Sequence, residues 1–459
     1  MDENSKVYAI PSQVESQSSY FRSGVTKNIS TRIRLLDALE EALISSESEL
    51  IEALQADFGK PPIESYLTEI HFLITEIRLV KRNLRRWCRP ERAGSPFYFL
   101  PARSEIRREP LGTTLIVSPW NYPLQLSLAP AISAIAAGNV VILKPSEMAP
   151  RTANAMATMI AKVFHPNHFT VIEGGPEVGQ ALLEQSFQCW FYTGSERIGR
   201  LYAEAAARSL APITLELGGK CPCIVADDVD LKTTVERIVA GKFLNGGQTC
   251  IAPDFILLPK ELQENFAKLA EERLRRAYPE PCTTDLARII SESHFDRISR
   301  LIPESAVRLG SDDRQARYLA PTLIPNADWE SPCMQEEIFG PILPLVPYEN
   351  LYQAVSYLAN KTSHLALYIF SKNKETFETI ASQVPSGSAC HNDVLKQATN
   401  LNLPFGGVGS SGMGRYRGEA GFRNFTYERA VTRRWFFPDP FAVTPPYDGQ
   451  FEKMKKILK

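Results

Sequence analysis

Apolar positions in the first sixty residues recur at helical steps. Ile33, Leu36, Leu39, Leu43, Leu50 and Leu54 fall three, four or seven apart with charges between them, which predicts an amphipathic helix. Gly59, with Pro61 and Pro62 just beyond, ends it. A second helix is predicted over about 64–87. Between 90 and 110 the pattern changes. Pro90, Pro96, Pro101 and Pro110 punctuate short aromatic and charged pieces, so this segment reads as a strand or arm leaving the main body.

Beyond residue 111 short β-branched runs alternate with helical stretches. Strand-like 113–117, 140–143, 169–172 and 189–192 each precede a helix, at 123–137, 149–163, 176–185 and 196–209. That alternation predicts βαβ units and a parallel sheet. It is a nucleotide-binding type of architecture, although the GxGxxG fingerprint is missing. A second block begins near Ile213, with strands at 213–217, 223–226, 255–258 and 364–370 and helices at 230–244 and 260–276. A Gly-rich segment, 404–414, closes it, and 420–437 reads as one or two strands.

The stretch from Leu111 to Leu143 contains no charge and is long enough to mimic a membrane span. Pro119, Pro123 and Pro130 interrupt it, and Asn121, Gln125 and Asn139 lie inside it, which a spanning helix tolerates poorly. A strand, a loop, a buried helix and a second strand explain it better. The opening MDENSKVYAIPSQ has no basic segment followed by an apolar run and is not expected to be a secretory signal.

The bulk numbers add little. The chain has 459 residues, long enough for two or three domains, and a net charge of −1, with no basic region that suggests nucleic acid. Its eight cysteines are scattered without framework spacing, which suits free thiols in a reducing, cytoplasmic compartment. Cys221 and Cys223 form a C-x-C, but no further ligands follow at metal-site spacing, so no metal is expected and both read as buried strand thiols.

Three segments carry chemistry. In NGGQTC, 245–250, two glycines and a small-residue turn expose Cys250. A thiol there can be structural, but thiolate is also the best side-chain nucleophile for a carbonyl. In LELGGK, 215–220, Glu216 ends a predicted strand before a Gly-Gly turn, where α/β domains place their chemistry. In SPWNYP, 118–123, Asn121 is either a turn residue or an amide donor to an oxyanion.

Taken together, PWNYP, KPSE (144–147), FYTGSERIG (191–199), LELGGK, NGGQTC, EEIFGP (336–341) and LPFGGVGSSGMG (403–414) resemble the aldehyde dehydrogenases, in the order that family has them, over about 20–430. GQTCIAPDF (247–255), Asn392-Asp393 after a strand, and the late PPY are similar to the class 3 branch of fatty and aromatic aldehyde dehydrogenases. The resemblance implies that Cys250 attacks an aldehyde, that Asn121 and the Cys250 N–H hold the oxyanion, and that Glu216 activates water against the thioester. It also implies NAD or NADP as cofactor. Trp120, Lys144, Glu147, Gly194, Ser195, Gly199, Leu217, Glu337 and Phe339 match its cofactor positions. In that picture 1–89 and 111–210 form a Rossmann-like NAD(P)-binding domain and 211–403 the catalytic domain. Segments 90–110 and 415–437 make a small oligomerisation arm of bridging strands in a homodimer, and 438–459 is a tail helix.

An apolar pocket is expected for the aldehyde, with Tyr66, Tyr122 and Ile251 as candidates and His391 either lining the funnel or satisfied in a loop. Medium- or long-chain aliphatic, terpenoid or aromatic aldehydes are favoured. Gly246 and Gly247 stand where alanine or serine is common in the family, which predicts a looser turn. Phe451, Met454, Ile457 and Leu458 share a helical face ringed by Lys453, Lys455, Lys456 and Lys459, which suits peripheral contact with a membrane surface or packing against protein. A CoA-acylating aldehyde dehydrogenase would not need Glu216, and a thiol esterase would need a Cys–His pair.

Overall fold

The computed structural model describes residues 3–279, 284–361, 364–436, 438–439 and 441–458. Cys282, Phe437 and Lys459 lie outside them.

The chain is α/β, with two largely parallel sheets and a small antiparallel one, as the alternation of runs predicts. The six-stranded sheet runs in the order Gly412–Met413, Ile213–Leu217, Cys189–Gly194, Thr113–Val117, Val140–Lys144 and Phe169–Val171. All its pairings are parallel except that of Gly412–Met413. The strand Ile213–Leu217, expected to open the second block, belongs here instead. It pairs with Cys189–Gly194 on one side and with the Gly-rich segment on the other. A run of this length suits either sheet, and the helix Glu196–Arg208 returns it beside its predecessor as an ordinary βαβ unit.

The uncharged stretch resolves as expected. Thr113–Val117 and Val140–Lys144 are fully buried neighbours, joined through the helix Gln125–Ala137, which is buried at every position but its first. Among the described residues no helix is long and apolar enough to cross a membrane.

The seven-stranded sheet runs Val307–Arg308, Thr322–Ile324, Ile342–Tyr348, Phe255–Pro259, Pro222–Val225, His364–Phe370 and Ser386–His391. The first pairing alone is antiparallel. Cys221 and Cys223 are buried at and within one of its central strands.

Glu91–Ala93, Ala102–Pro110 and Thr426–Arg434 form the third sheet, which is mostly exposed on Thr426–Arg434. The expected strand at 420–437 starts late, because Gly418–Asn424 is a helix. Its Phe422 packs against Trp87, and Phe425, just after it, is fully buried against Phe191. That burial holds the segment in a turn of helix before it can extend.

The first predicted helix is two, Ile29–Ser45 and Glu47–Phe58, broken at Ser46; Gly59, at φ 60°, closes the second. The second predicted helix contains a π-helical turn, Tyr66–Ile70. An N-terminal helix, Glu3–Arg22, carried no clear periodic signal. Of the tail helix expected over 438–459, only Gln450–Ile457 is helical among the described residues, with none of its residues buried.

Candidate active site

Three strands of the six-stranded sheet deliver the site from their C-terminal ends. After Thr113–Val117 come Pro119, Trp120 and Asn121. Thr193 to Glu196 complete Cys189–Gly194 and start the next helix, and Glu216 to Gly219 end Ile213–Leu217. These are the positions where an open α/β sheet presents its loops to ligands. Together they wall a cleft of about 590 Å³, completed by His294, Arg297, Glu337 and Phe339.

A second, mostly apolar cavity of about 210 Å³ lies next to it, walled by Leu67, Phe72, Tyr122, Ile251, Phe405 and Arg417 among others. Cys250, Leu126 and Phe405 belong to both walls. The thiol therefore stands where the two spaces meet, with Glu216 in the wall of the larger one.

The turn that carries Cys250 is not loose. Asn245, Gly246 and Gly247 take φ of 55°, 61° and 73°, a left-handed run that glycine adopts without strain. A Cβ on Gly247 would lie 2.2 Å from the Gly340 carbonyl oxygen, so the glycine lets the turn press against the 336–341 segment. Hydrogen bonds then fix it. Glu64 accepts from the Asn245 N–H at 2.8 Å, and the Asn245 amide donates to the Asn121 carbonyl at 2.8 Å. Gln248 donates to the Asn245 and Arg288 carbonyls and accepts from the Ile290 N–H, each at 3.0 Å. Tyr122 Oη and Thr249 Oγ1 lie 2.6 Å apart. The expected flexibility is replaced by a pinned loop, because the buried polar groups of the turn find partners on three separate segments.

Burial dominates the electrostatics. Glu216 is buried, neither carboxylate oxygen has a hydrogen-bond partner among the described residues, and its pKa is pushed up to about 8 by desolvation against the pull of Arg417 and Arg415. Desolvation likewise raises Glu337 to about 8, with Asp254 adding to the rise. The Cys250 thiol is pushed up to about 12, first by burial and then by the two carboxylates Glu337 and Glu216. Glu64, under the turn, rises to about 7 for the same reason.

The other sequence candidates separate into groups. Trp120, Asn121, Gly194, Ser195, Leu217, Glu337 and Phe339 line the larger cleft, and Tyr122 and Ile251 line the smaller cavity. Trp120 meets Phe339 edge-on at 5.4 Å. Lys144 and Glu147 stand beyond the cleft wall at the end of their strand, paired at 3.0 Å. Gly199 is buried, and a Cβ there would lie 2.8 Å from a Leu217 methyl, so its part is to bring the helix against the sheet. Tyr66 packs on the core, 5.7 Å from the His71 ring, while Leu67, Thr68 and Phe72 reach the cavity. The wider π-helical turn changes which side chains face inward. His391 lines neither space. Its Nε2 sits 3.0 Å from the Ser371 carbonyl and its ring stacks on Phe377.

Comparison with known proteins gives the same reading. The model of the Aldehyde dehydrogenase family matches residues 8–431. The chain belongs to the aldehyde dehydrogenase family. This aldehyde dehydrogenase is 39% identical to the 4,4'-diaponeurosporen-aldehyde dehydrogenase of Staphylococcus aureus, over 96% of its own length and 97% of that protein's. It is 41% identical to aldehyde dehydrogenase family 3 member B3 of Mus musculus over 89% and 86%, and 38% identical to a dimeric, NADP-preferring aldehyde dehydrogenase of Rattus norvegicus over 89% and 91%. These relatives agree with the class 3 resemblance. A solved structure described as the substrate-bound state of Staphylococcus aureus AldH superposes with a TM-score of 0.94 at 38% identity, covering 98% of this chain and 99% of that one.

Several residues of this aldehyde dehydrogenase were not apparent in the sequence. Arg297 donates to the Glu337 and Ile338 carbonyls at 3.3 and 2.7 Å. Asp254 accepts from the Ile338 N–H at 3.0 Å and pairs with Lys220, which also donates to the Cys333 and Glu336 carbonyls. These contacts hold the segment that presents Glu337. Lys220 and Asp254 lie inside motifs already singled out, so their position could have flagged them, whereas nothing local distinguishes Arg297 or His294.

The larger cleft also has unspent donors suited to a dinucleotide. Thr193 Oγ1 is buried in its wall without a partner among the described residues. The Ser195 side chain makes no capping bond at the start of the helix Glu196–Arg208, and Gly194 turns into it at φ 158°. A helix N-terminus with free N–H groups favours a phosphate.

Proposed function

We propose that this enzyme oxidises an apolar aldehyde to its carboxylic acid with NAD or NADP, using Cys250 as nucleophile and Glu216 as general base. The observation that carries this reading is that Cys250 is common to an apolar cavity and to the cleft that holds Glu216. In this reading Cys250 Sγ adds to the carbonyl carbon and forms a thiohemiacetal. The Asn121 amide spends one N–H on the Gln248 carbonyl, at 3.0 Å, and keeps a second for the oxyanion beside the Cys250 N–H. When bound, the nicotinamide supplies the hydride acceptor. Lys144 and Glu147 would hold the adenosine ribose, Thr193, Gly194 and Ser195 the phosphates, and Glu337 and Phe339 the nicotinamide half. Departure of hydride from the thiohemiacetal leaves a thioester on Cys250. Glu216 takes a proton from water, whose oxygen attacks the thioester carbonyl and releases the acid and the thiol.

The apolar wall of the smaller cavity favours medium- or long-chain aliphatic, terpenoid or aromatic aldehydes. The relative from Staphylococcus aureus, a 4,4'-diaponeurosporen-aldehyde dehydrogenase, supports that choice. A CoA-acylating reaction leaves the unpartnered Glu216 without a task. The domain division 1–89 with 111–210, 211–403 and 438–459 goes with this function, except that Ile213–Leu217 joins the first of these domains through its sheet. So does a homodimer built through the exposed edge of the 90–110 and 415–437 strands. The exposed tail helix, with Lys453, Lys455 and Lys456 beside Phe451, suits peripheral contact with an anionic membrane surface.

The test is cofactor reduction over an aldehyde chain-length series with both dinucleotides. Activity should climb from short to medium chains and disappear in Cys250→Ala. Glu216→Gln should keep a first-turnover burst of reduced cofactor while steady turnover falls. A flat chain-length response would contradict the apolar cavity as the aldehyde site, and a lost burst would contradict a role for Glu216 confined to hydrolysis.

A further inference from the structure

Arg417 is buried at a place where arginine is seldom left, with only 5% of its surface exposed. It lies three residues past the Gly-rich motif, in the wall of the apolar cavity that ends at Cys250. Its backbone is strained, at φ 78°, a conformation a non-glycine residue keeps only where the surroundings enforce it. The surroundings do enforce it. The guanidinium carbon sits 4.2 Å from the Phe405 ring centre and 4.9 Å from that of Phe72, and Nη1 donates to the Ala398 carbonyl. Among the described residues it forms no direct ion pair, so no carboxylate in contact cancels its charge.

The groups that face it come from several elements. Glu76 lies on the helix His71–Trp87, buried, with one oxygen on the Gly418 N–H and the other unpartnered. Glu216 ends its strand, Cys250 lies on the pinned turn, and Tyr416 and Arg415 share Arg417's own segment. Burying an unpartnered carboxylate is costly, and a fixed cation nearby is what makes it bearable.

We propose that Arg417 is the positioning residue of this site: its guanidinium, clamped between Phe72 and Phe405 in the wall that also holds Cys250, supplies a positive field that offsets part of the cost of ionising the Glu216 carboxylate and the Cys250 sulfur. Arg417 acts through these two groups and transfers no proton itself. Its effect on both is attractive, opposing the burial that raises them. Glu76 competes for the same cation. The inference rests on the roles proposed for Cys250 and Glu216.

The test uses the whole enzyme and two readouts. The first is the rate of Cys250 alkylation by iodoacetamide at fixed pH, followed by mass of the Cys250 peptide; it needs no turnover and stands even if the aldehyde reaction is wrong. The second is the pH inflection of steady-state oxidation. Arg417→Gln should slow alkylation about tenfold and move the inflection alkaline by about one pH unit. Arg417→Lys, which keeps the charge, should recover most of both. Glu76→Gln, which keeps an acceptor for Gly418, should move both the opposite way, and it serves if Arg417→Gln fails to fold. Folded variants that lower activity with alkylation rate and inflection unmoved would reduce Arg417 to a packing residue and overturn the proposal.

Discussion

Asn121 and Asn245 hold the same atom: the side-chain amide of each donates to the Gln248 carbonyl oxygen, at 3.0 and 3.2 Å. The residue beside one cavity and the residue that starts the cysteine turn are thus tied through a single acceptor two positions before Cys250. Loss of either amide should disturb the sulfur as well as the oxyanion donor.

Asn245→Gly separates the tie from the backbone. Glycine accepts the left-handed φ of 55°, so the loss is mainly that of two hydrogen bonds from the side chain. The expected cost is on the order of 1–3 kcal/mol of stability. The first-turnover burst should slow by roughly 10–100-fold, as small misplacements at a reacting atom do. Thermal unfolding and stopped-flow reduction of the dinucleotide measure the two. A full-speed burst would show that the turn holds Cys250 without this tie.

Glu216→Gln should make the protein more stable while it cripples steady turnover. The folded-state pKa of about 8 stands above the ordinary 4.5, so the native state binds the extra proton between those values. Stability linked to this group therefore falls as pH rises from about 4.5 to about 8. The cost of the charge is complete above that range and absent below it. Removing the charge should yield a gain on the order of 1–3 kcal/mol at pH 9 that shrinks toward pH 5. Melting curves of both proteins across this range measure it, and a gain that grows as the pH drops would reverse the assignment.

Glu147 is half-exposed and tied to Lys144 at 3.0 Å. If the pair faces the adenosine ribose, its carboxylate opposes a 2′-phosphate. Glu147→Gln should raise the ratio of NADP to NAD kcat/KM by roughly three- to tenfold, a modest effect because solvent screens the charge. Initial rates with each dinucleotide give the ratio. An unchanged ratio would place the ribose elsewhere.

Much of this arrangement was legible in the chain because its signals are local. The uncharged run around Pro119, Pro123 and Pro130 is better explained by a strand, a loop, a buried helix and a second strand than by a membrane span, and that is its form. Cys250 and Glu216, 34 residues apart in the sequence, were each marked by a Gly-Gly pair. Other features depend on distant partners. Ile213–Leu217 looks the same in either sheet until Gly412–Met413, distant in the sequence, pairs with it. Helix 418–424 is decided by where Phe422 and Phe425 are buried, not by its own composition. Tyr66 faces away because a π-helical turn has no signature in spacing. Arg417 follows a glycine-rich run and has no signal of its own in the sequence; its place is set by Phe72 and Phe405, whose rings lie against it in the fold.

Because the two chambers share Cys250 as part of a common wall, the proposed reaction lodges the aldehyde and the dinucleotide in separate spaces. A plug shaped for the oily chamber would leave the other open, so raising the dinucleotide concentration should not dislodge it.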